Sequence, residues 1–112
     1  MAGFDPNEDT LILSEGADFV ATFIEVGVTW PEGTTCTLSF PTLPGIEPIA
    51  ADCTPSQTIT VNGKDYTGGA ALVVIPKALT GNASIPDRVR WRLHLDKGYT
   101  YLWFRGTVER ED

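Results

Sequence analysis

The segment Arg88-Val-Arg-Trp-Arg-Leu-His-Leu-Asp96 alternates without interruption. Val89, Trp91, Leu93 and Leu95 fall on one side; Arg88, Arg90, Arg92, His94 and Asp96 fall on the other. A period of two is that of a β-strand, and a helix would spread both sets around its circumference. Lys97-Gly98-Tyr99 follows, with a glycine free to take positive φ. Thr100 to Glu111 then reads as the return strand, carrying Tyr101, Trp103, Phe104 and Val108. A hairpin with one apolar and one charged side needs a second layer to cover the apolar side.

The rest of the chain supplies that layer. Short apolar or alternating runs occur at Thr10–Ser14, Asp18–Val26, Thr35–Phe40, within Ile46–Cys53, at Gln57–Asn62 and at Ala70–Ile75. Turn residues separate them, including the hairpin dipeptide Asn62-Gly63. Pro76 to Ala83 has room for one helical turn, since proline suits the first helical position. The 112 residues suffice for one domain. The expected fold is all-β: a single antiparallel, immunoglobulin-like β-sandwich of about seven or eight strands with at most one short helical turn. Residues 1–9 are expected to form an N-terminal arm and residues 10–112 the sandwich.

Charge narrows the function. Fifteen acidic residues against eight basic ones give a formal charge of −7, a poor match for a phosphate backbone, so no nucleic-acid partner is expected. The longest apolar run, Ala70 to Pro76, is far short of the roughly 20 residues a membrane helix needs. Asp5, Glu8 and Asp9 sit where a secretory leader would carry its basic and apolar regions, so folding in a cytosol is expected. Cys36 and Cys53 are then two small core residues on neighbouring strands, or a disulfide formed after leaving the cytosol; no second Cys/His pair offers metal-ligand spacing.

Catalytic motifs are missing. The single histidine, His94, lies among arginines on the polar side of its strand, and no serine sits in a G-x-S-x-G elbow. No phosphate-binding G-x-x-x-x-G-K loop occurs. Asp5, Asn7 and Asp9 begin like a calcium loop, but Thr10 stands at the sixth position and Gly16 at the twelfth. Asn82-Ala-Ser84 is a formal glycosylation sequon that secretion alone would put to use. The expectation is a protein without enzymatic activity, metal or cofactor.

What remains is surface. Residues 1–87 hold 11 acids and 2 bases, while residues 88–112 hold 6 bases and 4 acids. A basic hairpin thus sits on an acidic body, with Arg88, Arg90 and Arg92 as a ladder. Strict alternation puts Tyr101, Trp103 and Arg105 together on the adjacent strand, facing out beside that ladder if Leu102, Phe104 and Val108 face in. Arginine and aromatic residues are enriched in protein interfaces, so these six are candidate contact residues. The alternative is a solvated face whose arginines pair with Glu109 and other acids. Val20 and Ile24 are further candidates, because the strand Asp18–Glu25 is apolar on both faces.

The succession Gly16-Ala-Asp-Phe19, Trp30-Pro-Glu-Gly-Thr34, Ile85-Pro-Asp87, Trp91-Arg-Leu93 and Leu102-Trp-Phe-Arg-Gly-Thr-Val-Glu-Arg110 resembles small β-sandwich virion proteins of tailed phages, especially siphophages of actinobacteria. It is similar to the LtfC-like tail-fibre collar family over about residues 11–110. The resemblance implies a non-catalytic structural component of a bacteriophage virion, such as a minor tail or collar protein. Its partners would be other copies of itself and other virion proteins, and assembly would take place in the host cytoplasm. It transfers no active-site residues. Two alternatives stay open: a capsid decoration protein, or a carbohydrate-binding module displaying Trp30, Tyr99, Tyr101 or Trp103.

Overall fold

A computed structural model describes residues 6–112. Eight strands follow in order: β1 (Asn7–Leu13), β2 (Phe19–Val26), β3 (Thr35–Ser39), β4 (Ile49–Ala50), β5 (Asp52–Val61), β6 (Lys64–Ile75), β7 (Arg90–Asp96) and β8 (Thr100–Arg110). They form a five-stranded sheet, β1-β8-β7-β3-β4, and a three-stranded sheet, β2-β6-β5. This is a β-sandwich, and its strand neighbours follow the immunoglobulin pattern of a B-E-D sheet against a G-F-C-C′ sheet. No helix is found among the described residues; the segment after Pro76 makes turns, closed by the Leu79 N–H on the Pro76 carbonyl at 2.8 Å.

Local chemistry explains the boundaries. Asn62 and Gly63 both take positive φ, 53° and 77°, as a two-residue hairpin turn between β5 and β6 requires. β5 bulges between Thr54 and Gln57, where Pro55 lacks an amide hydrogen to give; as an edge strand it tolerates this. β7 starts at Arg90 rather than Arg88, because Arg88 sits in a turn with φ 65°. Of the expected arm of residues 1–9, Asn7 to Asp9 pair with Phe104 to Gly106 as part of β1, and residues 1–5 lie outside the described residues. That pairing of β1 with β8 is parallel, whereas every other pair is antiparallel. No turn joins the first strand to the last, so no hairpin dictates their direction.

The core lies between the sheets. The inner side chains of β7, Trp91, Leu93 and Leu95, are fully buried, as are Leu13, Val73, Ile75 and Ile85. Phe23 reaches across from β2 into an aromatic group, with ring centroids 6.2 Å from Trp91, 6.3 Å from Trp103 and 4.9 Å from Phe104. Each such side chain contributes roughly 1.5–3 kcal/mol by leaving water, against about 0–1 kcal/mol for an exposed ion pair. The aromatic core therefore dominates the stability.

Close approach of backbone to neighbours explains two glycines. A Cβ at Gly69 would strike the Trp30 ring, and one at Gly106 would strike the Asp9 carbonyl of β1. Gly106 is the register partner of Asp9, so its missing side chain is what lets β1 dock. Gly106→Ala is expected to cost about 2–3 kcal/mol and to speed hydrogen exchange in β1 before the rest of the sheet. An unchanged urea midpoint with unchanged exchange would refute this account.

Candidate functional site

The position of every candidate on β8 follows from one irregularity. Leu93 pairs with Phe104, but the next β7 residue, His94, pairs with Leu102. Trp103 is therefore an extra residue, a β-bulge, and the alternation of side chains shifts phase there. Trp103 and Phe104 both turn inward, and Trp103 is only 2% exposed. Tyr101, opposite buried Leu95, also leans inward and is half-buried, whereas Leu102 joins the outer face opposite His94. Arg105 alone of the expected trio is exposed on the outer face. The expected outward Tyr/Trp/Arg patch is thus corrected: Trp103 packs edge-on against Trp30 with centroids 5.5 Å apart.

The arginines are brought together as the alternation demands, with one exception. Arg90, Arg92 and Arg105 share the outer face of the five-stranded sheet, and Arg92 stands directly opposite Arg105. Arg88 lies outside the strand; its guanidinium is exposed, 3.9 Å from Asp87. A groove of about 720 Å³ runs over this face, lined by Arg90, Arg92, Arg105, Glu8, Thr10 and Thr107 among others. The acid that reaches the ladder is Glu8 of β1, not Glu109: Arg105 donates to its carboxylate at 3.3 Å. Among the described residues, Arg90 and Arg92 have no hydrogen-bond or ion-pair partner.

Val20 and Ile24 belong to the other sheet, on the outer face of the three-stranded sheet. Val20 is 60% exposed, and its register partner Val74 and the neighbouring Leu72 are also exposed. Ile24 is half-buried. β2 is an edge strand, so this apolar face runs to an open sheet margin.

Two features, the Glu25 cluster and the Arg110 site, had no signal in the sequence because most of their members are distant along the chain. Glu25 accepts hydrogen bonds at Oε1 from the Trp30 indole (2.9 Å) and the Lys97 ammonium (2.8 Å), and at Oε2 from the Tyr101 hydroxyl (3.0 Å). Burial alone would raise its pKa; the bonds from Lys97, Trp30 and Tyr101 outweigh that and hold it below the usual 4.5. Burial pulls Lys97 down, but the bonds to Glu25 and Tyr101 win and raise it above 10.5. This cluster ties the three-stranded sheet to the β7–β8 hairpin.

At the opposite end the Arg110 side chain is largely buried. It donates to the carbonyls of Thr80 (2.6 Å) and Ile85 (3.2 Å) and pairs with Asp112 at 2.8 Å. Cys36 and Cys53 are free thiols on β3 and β5; burial, then the neighbouring Cys53, pushes Cys36 up to about 12, so its thiol is inert at neutral pH. No cluster of three or more His, Cys, Asp or Glu able to hold a metal ion occurs among the described residues.

Comparison with protein families matches residues 5–111 to the LtfC-like, beta-sandwich domain. No curated protein matches the chain.

Linkage fixes the pH behaviour of the Glu25 cluster. A carboxyl whose folded pKa is lowered stabilises fully above 4.5 and loses that contribution as pH falls through the folded value. A lysine raised above 10.5 stabilises fully below it and fades as pH rises through the folded value. Glu25→Gln is expected to lose about 2 kcal/mol at neutral pH, with the gap to the parent narrowing as acid is added below 4.5. Urea titrations at several pH values check this, and a gap independent of pH would contradict it.

Proposed function

The chain belongs to the LtfC-like β-sandwich family, and on that footing we propose that it is a non-catalytic structural component of a tailed-phage virion. Its work is to dock onto other polypeptides as a minor tail or collar protein. The observation that carries this is the family match over residues 5–111, nearly the whole chain. The surface is in keeping with it: two outer faces, one arginine-rich and one apolar, offer different contacts on opposite sides of one small domain. Such distinct patches suit heterologous assembly, in which one copy's surface meets a different surface on its neighbour.

The carbohydrate alternative is weaker on this fold. Trp30 and Trp103, the largest of the stacking platforms it requires, are each 2% exposed, and Tyr101 is held against Glu25. Tyr99, 65% exposed, is left as the outward ring.

Gold-labelled antibodies against the chain, applied to whole particles in negative stain, test the assignment. Label at the tail or its collar is the expected result. Label over the capsid would transfer the chain to the decoration proteins, and particles free of label and of the polypeptide would defeat a virion role.

A further inference from the structure

We propose that the groove over β1, β8 and β7 is a docking cleft for an extended acidic segment of another virion polypeptide, and that Glu8 occupies part of it as a built-in competitor. The inference rests on the docking role proposed above and names the partner chemistry of that surface.

The charge arrangement is mildly unfavourable by itself. Arg92 and Arg105 face each other directly across neighbouring strands, where side chains are about 5 Å apart at Cβ and like charges repel. Arg90 adds a third cation two residues along β7. Among the described residues one carboxylate, from Glu8, answers three guanidinium groups, and that pair is half-open, with the two side chains 50% and 74% exposed. Arg90 and Arg92 have no partner among the described residues, yet they line the same 720 Å³ groove.

The spacing selects the ligand. Alternate residues of a strand are about 6.6–6.8 Å apart, so Arg90 and Arg92 match carboxylates at alternate positions of a second extended chain. Guanidinium groups take carboxylates in two-pronged contact, which adds orientation to charge. A nucleic-acid strand fits worse. Its charge is dense and continuous, while the cations of this groove stand at strand spacing and are interrupted by Glu8. A second copy of this chain is also a poor source of the segment. Several of its acids cap its own structure: Asp18 accepts the Lys77 amide, Glu15 the Asn82 amide, Asp9 the Thr10 amide and Asp87 the Arg110 amide.

The Glu8–Arg105 pair shows that a carboxylate reaches this face from β1. An incoming acidic segment therefore displaces Glu8 or shares Arg105 with it. Removing the Glu8 charge should tighten binding, which a merely structural role for Glu8 would not do.

The test uses the purified full chain and a fluorescein-labelled peptide, Glu-Thr-Glu-Thr-Glu-Thr-Glu, followed by anisotropy at about 0.05 M and about 0.5 M salt, since such contacts are screened. Binding is expected at low salt and should fade at high salt, with none to the Gln-Thr analogue. The double variant Arg90→Gln/Arg92→Gln should bind about tenfold more weakly, and Glu8→Gln about threefold more tightly. Glu47→Gln removes the same charge elsewhere and should change nothing; circular dichroism confirms that each variant folds.

Equal binding by the double variant, or no gain in Glu8→Gln, overturns the proposal. So does displacement of the peptide by an oligothymidine of equal charge at lower concentration, which would make the groove a nucleic-acid surface. Self-association of the chain that excludes the peptide would make the occupant a second copy and overturn it as well. Because binding is read on the isolated chain, its failure is separable from a failure to find the chain on particles.

Discussion

The bulge at Trp103 is the constraint from which the interior and one exterior face both follow. Without it, β8 would alternate strictly, and Trp103 would share a side with Arg105. The extra residue puts Trp103 and Phe104 on the same side, where they meet Phe23 and Trp30. Before the bulge Tyr101 turns toward Glu25. After it, Arg105 remains outward beside Arg92. One residue inserted in one strand thus supplies two core aromatics, one partner for a half-buried carboxylate and one cation of the outer groove.

The aromatic core also takes the place of a covalent link. Immunoglobulin domains commonly join their B and F strands by an inter-sheet disulfide. Here β2 and β7 occupy those positions, and the contact between them is the tilted Phe23–Trp91 pair. The two cysteines are on β3 and β5 instead, and both are free. Aromatic pairs add about 0.5–1.5 kcal/mol beyond area burial, and five such ring contacts converge on Phe23, Trp103 and their neighbours. A cross-link is not needed to hold the sheets in register when the interdigitating rings do so. The Glu25 cluster reinforces this at one end, because its three donors come from the β2–β3 loop, the hairpin turn and β8.

Most of the fold was legible because strand alternation is a local signal. β2, β3, β7 and β8 lie within two residues of where their patterns place them, and Asn62-Gly63 turns as its chemistry requires. What stayed hidden depends on partners distant in sequence. The parallel β1–β8 pairing joins residues 97 positions apart, such as Asn7 and Phe104, with no turn to announce it. The bulge was hidden for a different reason: Tyr-Leu-Trp-Phe is apolar at every position, so no polar residue marks the change of phase. The arginine ladder survived because β7 is regular, and Arg88 fell out of it because the Pro86-Asp87 turn extends one residue further than the alternation suggests.

The charges divide into those the fold uses and those it does not. Lys97 and Arg110 are mostly buried, and each meets a carboxylate at 2.8 Å. Stripping such a group of its partner leaves an uncompensated charge out of water, which is strongly destabilising. Arg90 and Arg92 are in the opposite situation: exposed, and without a partner in the described residues. Surface substitutions of that kind usually change stability by no more than about 0.5 kcal/mol. Folding therefore places no demand for arginine at either position, and the repulsion between Arg92 and Arg105 argues mildly against it. A lysine or threonine would serve β7 as well, whereas only guanidinium offers a fixed fork of donors. The physical advantage of these side chains is realised when something acidic lies across them.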